Sequence, residues 1–339
     1  MGVKCTDDIY KIAKSKVNTD EQFKITIRRN APLSRRLLLW QRETKKSSPT
    51  SQVNVHFIAE DGIDSGALRK EFLENTMQEI RTVMFPNGNP IHSTYHVQNG
   101  NFRTCGEIVA ASIAQDGPAP CFFAPCAFDA IWKDVDLLNI RDEHLTAEEH
   151  ITYERIVPNT LISLSKMGIL AMLPMITLRK FSISSIKVSF VSRRFLYMNE
   201  FKVGLNTYGS GDLISSHPDI CKKLFLQNYY AETVPDGNYL ISLLKPRYSP
   251  EATSKRLVEE SLMDHMEDLL ISFEDMSAPV AWKDDDAEVG ETGNTDTEEV
   301  LETADLSVAG IMGWLTGQKQ KQSYGAKPTI TVHFDHECL

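Results

Sequence analysis

The apolar positions between residues 53 and 84 change their spacing partway along the segment. Over residues 53–58, valine and phenylalanine alternate with polar residues, and this period of two predicts a half-buried strand. Glu60, Asp61 and Gly62 then supply residues that favour a turn. Over residues 65–84 the spacing is helical, with apolar side chains at Leu68, Phe72, Met77, Ile80 and Met84. We therefore expect a strand that turns tightly into a helix, with Leu68 and Phe72 buried.

Two acidic residues of this segment have structural roles that we prefer to catalytic ones. Asp64 precedes the predicted helix and can accept hydrogen bonds from its free backbone amides. Glu71 is a polar partner that can hold the turn.

The same pattern predicts elements elsewhere in the chain. Alternation over residues 23–27 and again over residues 181–190 predicts two strands, and an arginine-rich helix follows the first of them over residues 35–40. Residues 106–114 read as a helix that ends before Gly117 and Pro118. A longer helix, capped by Thr253 or Ser254, carries one apolar face formed by Val258, Leu262, Met266, Leu269 and Phe273.

The last strand of the sequence needs a partner. Ile330, Val332 and Phe334 point to one face, and an isolated strand is barely stable in water. This end of the chain is therefore expected to be marginally stable.

Composition narrows the class of protein. The chain has 339 residues, 42% of them hydrophobic and 24% charged, which is typical of a globular protein with room for two domains. Its six cysteines, at positions 5, 105, 121, 126, 221 and 338, form no disulfide framework, so we expect a reducing, cytoplasmic or nuclear location. Cys121 and Cys126 lack a second ligand pair at zinc spacing, so we interpret them as buried or bystander thiols instead of metal ligands.

The net charge of −10 comes from one segment. Residues 284–305 hold ten acidic residues and no basic one, so the rest of the chain balances at 36 of each sign. Bulk charge therefore gives no support to nucleic-acid binding. We interpret the acidic segment as a solvated, mobile loop, with docking to a basic partner as the alternative.

Neither a membrane span nor a firm lipid anchor is predicted. The longest apolar run, residues 167–178, is too short to cross a bilayer, which needs about twenty residues. The first six residues fit the myristoylation pattern at Gly2, with Cys5 placed for a second acyl chain. Asp7 and Asp8 oppose attraction to a membrane surface.

Residues 53–72 resemble the opening of the HECT domain, the catalytic module of one class of ubiquitin-protein ligases. In that family a strand with a Glu-Asp-Gly-Val-Asp-Gly-Gly-like turn runs into a helix beginning Arg-x-Glu-Phe. Further segments resemble the family in the same order along the chain. They are the glycine-containing helix at 106–114, Phe122-Phe123-Ala124-Pro125, the Phe-x-x-Gly helix at 200–206, the Thr-Gly element at 311–317 and the strand at 328–334.

The resemblance implies an α+β fold with two lobes. The larger, mostly helical N-lobe would cover residues 23–245 after a lead-in at 1–22. A partial α/β C-lobe would cover residues 246–339 and contain the acidic loop at 284–305. We place the lobe junction near the turn-rich sequences at 234–237 and 245–250.

The resemblance also implies an activity, ubiquitin-protein transfer through a cysteine thioester, without a cofactor or a metal. The partners implied are a ubiquitin-conjugating enzyme, ubiquitin and protein substrates. In the family, the ubiquitin-accepting cysteine lies in a Leu-Pro-x-Ala/Ser-x-Thr-Cys loop shortly after the last strand. These 339 residues contain no such sequence, and Thr104-Cys105 lies in the first lobe.

Cys338 is the fallback for the missing nucleophile. His333 and His336 precede it and would lower its pKa if they were protonated, but it lacks the Leu-Pro and Thr context. These three residues make a weak zinc site, since no fourth ligand is near. Two hypotheses follow: a ligase domain whose acceptor cysteine lies outside this sequence, or a catalytically dead module that binds a conjugating enzyme, ubiquitin or a substrate.

Overall fold

The computed structural model describes residues 3–60, 66–133, 145, 149–152, 154–156, 175–276, 307–322 and 327–336. Side chains of the long helix that begins at residue 175 are described from residue 184. Asp64, Gly2, Cys338, the acidic segment 284–305 and most of the apolar run 167–178 lie outside the described residues. The chain divides into two compact units, Met1–Thr233 with Gln322–Gly325 and Val234–Lys321 with Ala326–Leu339.

The first unit is mostly helical. Its strands are β1 (Asn18–Ile27) and β2 (Ser51–Phe57), and a π-helical turn (Ile80–Met84) follows its third helix. The α-helices whose bounds are described there are α1 (Thr6–Lys14), α2 (Leu33–Thr44), α3 (Ala67–Glu79), α4 (Thr94–Gln98), α5 (Asn101–Ala114), α6 (Pro125–Trp132), α7 (Met175–Leu205), α8 (Ser210–Ser216), α9 (Pro218–Phe225) and α10 (Tyr230–Thr233).

Strands β1 and β2 form a parallel pair connected through α2. Phe23 pairs with Val53, Ile25 with Val55 and Ile27 with Phe57, and all six side chains are buried. The alternation in the sequence therefore predicted both strands and their buried face correctly. A parallel pair needs a crossover connection, which α2 provides here.

The predicted helix after β2 is also confirmed. It runs as α3 and the π-helical turn, with Phe72, Met77, Ile80 and Met84 buried. Leu68 is only half-buried at the edge of the core, so its prediction as a buried residue was wrong.

Helices α5 and α7 form the centre of the first core. Gly106 on α5 and Gly204 on α7 let the two backbones approach each other closely. A Cβ atom at Gly204 would overlap the carbonyl oxygen of Arg103, and one at Gly106 would overlap that of Phe201. Around this crossing lies a group of buried phenylalanine rings in edge or tilted contact: Phe85, Phe102, Phe122, Phe123, Phe201 and Phe225.

The strand predicted over residues 181–190 is wrong, because these residues belong to α7. Isoleucine, serine and phenylalanine alternate there, but the side chains that pack follow helical spacing instead. Phe190, Arg194 and Tyr197, spaced by four and then three residues, line one cleft. Only a helix places such residues on one side.

The lead-in at residues 1–22 is folded into the first unit. Ile9, Tyr10 and Ala13 of α1 are buried in its core, and β1 begins at Asn18. The first unit ends at Thr233, ahead of the boundary expected at 245, because Leu240 belongs to the second core.

The second unit is smaller. Its elements in the described residues are α11 (Gly237–Leu243), β3 (Leu244–Arg247), α12 (Ser254–Met276), α13 (Val308–Thr316) and β4 (Ile330–His333). Its core contains Leu240, Leu243, Leu244, Met263, Leu270, Val308 and Met312.

Strands β3 and β4 form a second parallel pair. Leu244 pairs with Ile330, and Pro246 with Val332. The final strand therefore has a partner within this chain, in a segment that the sequence had suggested was a turn. Pro246 is tolerated because each strand of a two-stranded sheet is an edge.

Helix α12 was predicted correctly, including its cap. The Thr253 hydroxyl accepts a hydrogen bond from the backbone N–H of Arg256 at 3.3 Å. Met266 and Phe273 of the predicted apolar face are half-buried against the second core. The fully buried side chains of the helix are Glu259, Met263 and Leu270. Three members of the apolar face seen in the sequence are about half exposed: Val258, Leu262 and Leu269.

Together the described residues form an α+β fold in which helices dominate two small parallel sheets.

Candidate functional site

One arginine, in the loop that follows β1, holds the corner between β2 and α3 together. The Arg29 guanidinium donates to both carboxylate oxygens of Glu60, at 2.9 and 2.5 Å, and forms an ion pair with Glu71. It also lies 4.5 Å above the ring of Phe57. The arginine thereby connects the end of β2 to the first turns of α3.

A second, buried arginine supports the same corner from α2. Arg36 donates to the carbonyl oxygens of Ala31 (2.8 Å) and Arg29 (2.9 Å), and to the Thr76 hydroxyl at 3.2 Å. It forms an ion pair with Glu79 at 3.2 Å. These contacts give Glu71 and Glu79 a structural role as partners of the two arginines.

Three thiols of the first unit are too buried to act as nucleophiles. Cys105, Cys121 and Cys221 are at most 1% exposed. Burial raises the pKa of the Cys105 thiol and raises those of Cys121 and Cys221 to about 12. A thiol in such surroundings stays protonated at neutral pH and is inert.

The other two described thiols are more accessible. Cys126 is half-buried and its Sγ lies 3.3 Å from the Asn89 side-chain oxygen. Cys5 is exposed at the start of α1. Neither has a histidine, lysine or arginine as a hydrogen-bond partner in the described residues.

In the second unit, a buried carboxylate ties the last described residues to α12. Glu259 accepts hydrogen bonds from the Ser249 hydroxyl and backbone N–H, both at 2.6 Å, and lies 2.6 Å from His336 Nε2. Desolvation opposes its ionisation, but the contacts with Ser249 and His336 outweigh this and lower the pKa of Glu259 to about 2.

This cluster does not form a catalytic triad. Ser249 Oγ and His336 Nε2 both contact the same oxygen, Oε1 of Glu259. The serine donates to the carboxylate, so the imidazole does not take its proton. The cluster instead holds His336, which precedes Cys338 by two residues in the sequence, against α12.

The first unit also contains an open groove between α4 and α7. Its volume is about 750 Å³, and its walls include His92, Tyr95, Arg193, Leu196 and Tyr197. Tyr95 and Leu196 are 64% and 52% exposed, which is unusual for large apolar side chains. A cleft that combines such residues with a cation suits a peptide segment.

His92 is one of the residues that line this groove. Its Nδ1 is 3.2 Å from the hydroxyl of Tyr197, and it also lines an adjoining cleft with Glu149 and Arg194. Burial lowers the pKa of His92, and the positive charge of Arg193 lowers it further. Both effects favour the neutral imidazole.

The described part of the chain shows neither a metal-binding cluster nor a membrane-spanning helix. No group of three or more histidine, cysteine, aspartate or glutamate side chains there could hold a metal ion. His333 is exposed on β4, while His336 contacts Glu259, so the two do not converge. Within the described ranges, no helix is both long enough and apolar enough to cross a bilayer.

Sequence reasoning missed the two features that depend on distant contacts. The first is the contact between Glu259 and His336, which are 77 positions apart in the sequence. One signal for it was present in the sequence, the helical spacing that puts Glu259 on the same face of α12 as Met263. The groove lined by His92 and Tyr197 was hidden because residues 181–190 were read as a strand.

No known protein-family model matches this sequence, and no curated protein matches it significantly.

Proposed function

We propose that this chain is a HECT-type ubiquitin-protein transferase domain that acts in protein ubiquitination in the cytoplasm or the nucleus. In this proposal the first unit corresponds to the N-lobe and recruits a ubiquitin-conjugating enzyme. The second unit corresponds to part of the C-lobe. Because the 339 residues include no Leu-Pro-x-x-x-Thr-Cys sequence, the chain as given binds without transferring ubiquitin.

The observation that carries the proposal is the packing of the HECT-like segments against one another. Gly106, from one such segment, lies against the backbone of Phe201, and Gly204, from another, lies against that of Arg103. These segments are about a hundred residues apart in the sequence, yet their glycines meet at one helix crossing. This supports treating the segments as parts of one fold instead of chance matches.

Two further segments have the local structure that the resemblance implies. The Thr-Gly element ends α13, with Gly317 in a left-handed conformation at φ +76°. The strand that would precede the catalytic loop is present as β4. Both belong to the second unit.

We assign the contact with the conjugating enzyme to the groove between α4 and α7. Tyr95 and Leu196 are exposed there, and large apolar side chains at a cleft are common anchors of protein interfaces. The proposal predicts that Leu196→Asp weakens binding of the conjugating enzyme to the full chain. Val83→Asp is the control, because Val83 is similarly exposed (45%) but does not line the groove.

The direct test of the transfer chemistry is loading from a charged conjugating enzyme. A panel of such enzymes, each carrying ubiquitin as a thioester, is mixed with the full chain and resolved with and without dithiothreitol. We expect no reductant-sensitive adduct, because transthiolation needs a thiolate held within attack range of the donor carbonyl.

The outcomes separate the two hypotheses. A thioester that is lost in Cys338→Ala but kept in Cys5→Ala would make the chain a working ligase with a displaced nucleophile. Non-covalent binding without a thioester supports the binding module. If no conjugating enzyme of the panel binds, the HECT assignment itself fails. Transcript sequence downstream of the Leu339 codon shows whether a Thr-Cys loop follows.

A further inference from the structure

A cavity of about 640 Å³ lies at the carboxyl end of the β1–β2 pair. Its described walls come from the last residues of β1, the loop that leads into α2, two residues of α2 and the residue after β2. Cavities of this volume accommodate small organic molecules. The carboxyl ends of parallel strands are also a common place for ligands to bind.

The charged side chains that line this cavity are positive. Arg28 and Arg35 are exposed on its wall, and none of its described lining residues is acidic. In the described part of the chain, neither arginine forms an ion pair or a hydrogen bond through its side chain. The whole chain carries a net charge of −10, so the local sign is opposite to the overall one.

The arginine that follows each of these two in the sequence has a different environment. Arg29 and Arg36 both form ion pairs with glutamates that lie on α3 or just after β2. Those glutamates are therefore occupied and do not neutralise Arg28 or Arg35. Of each adjacent pair of arginines, one holds the fold together and the other is available to a ligand.

The rest of the wall is largely apolar. Ile58 is 47% exposed, Pro32 is exposed and Leu39 is half-buried. Thr26 and Asn30 add neutral polar groups. An inorganic anion would leave the apolar side chains in water, whereas an organic anion with an apolar body would cover them.

We propose that this cavity binds a small organic anion, with a carboxylate or phosphate head group on an apolar body. The head group would contact the guanidinium groups of Arg28 and Arg35, whose planar geometry matches both kinds of anion. The apolar body would cover Leu39 and Ile58. The cavity belongs to the first unit, and its ligand is independent of ubiquitin transfer.

The test uses the full chain, labelled at its isoleucine and leucine methyl groups, and four probes. Naphthoate and naphthyl phosphate carry the two head groups, naphthamide has the same aromatic body without the charge, and inorganic phosphate has the charge without the body. In NMR titrations the two naphthyl anions should shift the methyl signals of Ile58 and Leu39. The signal of Ile80, which is fully buried and does not line the cavity, should stay in place.

The affinities of the four probes measure the two halves of the site. At least one naphthyl anion should bind more tightly than naphthamide and more tightly than inorganic phosphate, by on the order of tenfold in each case. The tighter of the two anions identifies the preferred head group.

Matched arginine variants locate the site. Arg28→Gln and Arg35→Gln should each weaken binding of the tighter naphthyl anion by on the order of tenfold, because each removes a charge-assisted contact. Arg42→Gln is the control, since Arg42 is also exposed on α2 but does not line the cavity. All three substitutions change the net charge equally, and circular dichroism of each variant establishes that the fold is kept.

Four results would overturn the proposal. Naphthamide could bind as tightly as either anion, which would make this an apolar cavity without selection for charge. Arg42→Gln could weaken binding as much as Arg35→Gln does, which would reduce the effect to bulk charge. The naphthyl anions could leave Ile58 and Leu39 unshifted up to about 10 mM, a concentration at which even weak binding is seen. A short peptide of leucine and glutamate could shift these signals at lower concentration than either naphthyl anion, which would make the cavity part of a protein interface.

Discussion

The two compact units bury apolar side chains in very different ways. The first unit has a core in which phenylalanine rings surround a close crossing of α5 and α7, and α5 is buried along almost its whole length. In the second unit the described core contains seven apolar side chains, and its long helix leaves leucines exposed. Because burial of apolar area is the main source of stability, the first unit should be the more stable of the two.

The largest effect is expected from removing a ring from the first core. Phe72 is fully buried, so Phe72→Ala should lower the free energy of unfolding of the first unit by about 3–5 kcal/mol. Urea titrations followed by the methyl NMR signal of Met84 measure it. Val203→Ala, at an exposed position, is the control, and an unmoved midpoint for Phe72→Ala would contradict its place in the core.

A smaller effect is expected from tightening the helix crossing in the same core. Gly204→Ala adds a methyl group where the Arg103 carbonyl already lies, so α5 and α7 must move apart. Overpacking of this kind destabilises by about 1–3 kcal/mol. Gly211→Ala is the matched control, since its new Cβ would meet the flexible Asn206 side chain at 3.2 Å. Equal effects of the two substitutions would mean that the crossing is looser than described.

The difference between the units can also be measured without a mutation. Backbone amides of α12 and β4 should exchange with solvent at lower opening free energy than those of α5. Hydrogen exchange with mass spectrometry resolves these segments, and the same experiment reports on residues 284–305. Equal protection of α12 and α5 would remove the distinction between a robust and a marginal unit.

Secondary structure was predicted most accurately where apolar residues recur at a regular spacing over a short stretch of sequence. Alternation in β1 and β2, and the helical spacing from Phe72 to Met84, reappear as described. The prediction failed over residues 181–190, because serine between apolar residues produces strand-like alternation even when the chain is helical. The Glu259–His336 contact could not be predicted, since it depends on the fold that brings β4 to α12.

Acid should affect the second unit through Glu259. Its folded-state pKa of about 2 lies below the ordinary value of 4.5, so the stabilisation by the carboxylate is complete above about pH 4.5 and is lost as the pH falls towards 2. Asp236 acts in the same direction, because its contact with Lys321 lowers its pKa.

Methionine methyl NMR separates this effect from acid unfolding of the first unit. In the native chain the Met263 signal should weaken between about pH 4.5 and pH 2 before that of Met84 does. Glu259→Gln should make the second unit less stable at neutral pH and less sensitive to pH within this window. If Met263 and Met84 respond together in both proteins, the link to Glu259 is wrong.

The smallest effect concerns two neighbouring residues that face opposite surroundings. Leu262 is 55% exposed and Met263 is 5% exposed, although they are adjacent on α12. Leu262→Ser should change the stability of the second unit by no more than about 0.5 kcal/mol, as is usual at an exposed site. Met263→Ala should cost about 2–5 kcal/mol if the small core cannot collapse around the lost side chain.

These two substitutions test whether Leu262 lies on the surface or belongs to the core of the second unit. Urea unfolding followed by the methyl signal of Met312 reports on the second unit in both variants. A large loss of stability in Leu262→Ser would mean that other residues of this chain cover Leu262. A small loss of stability would mean that Leu262 contributes little to folding, as its exposure implies.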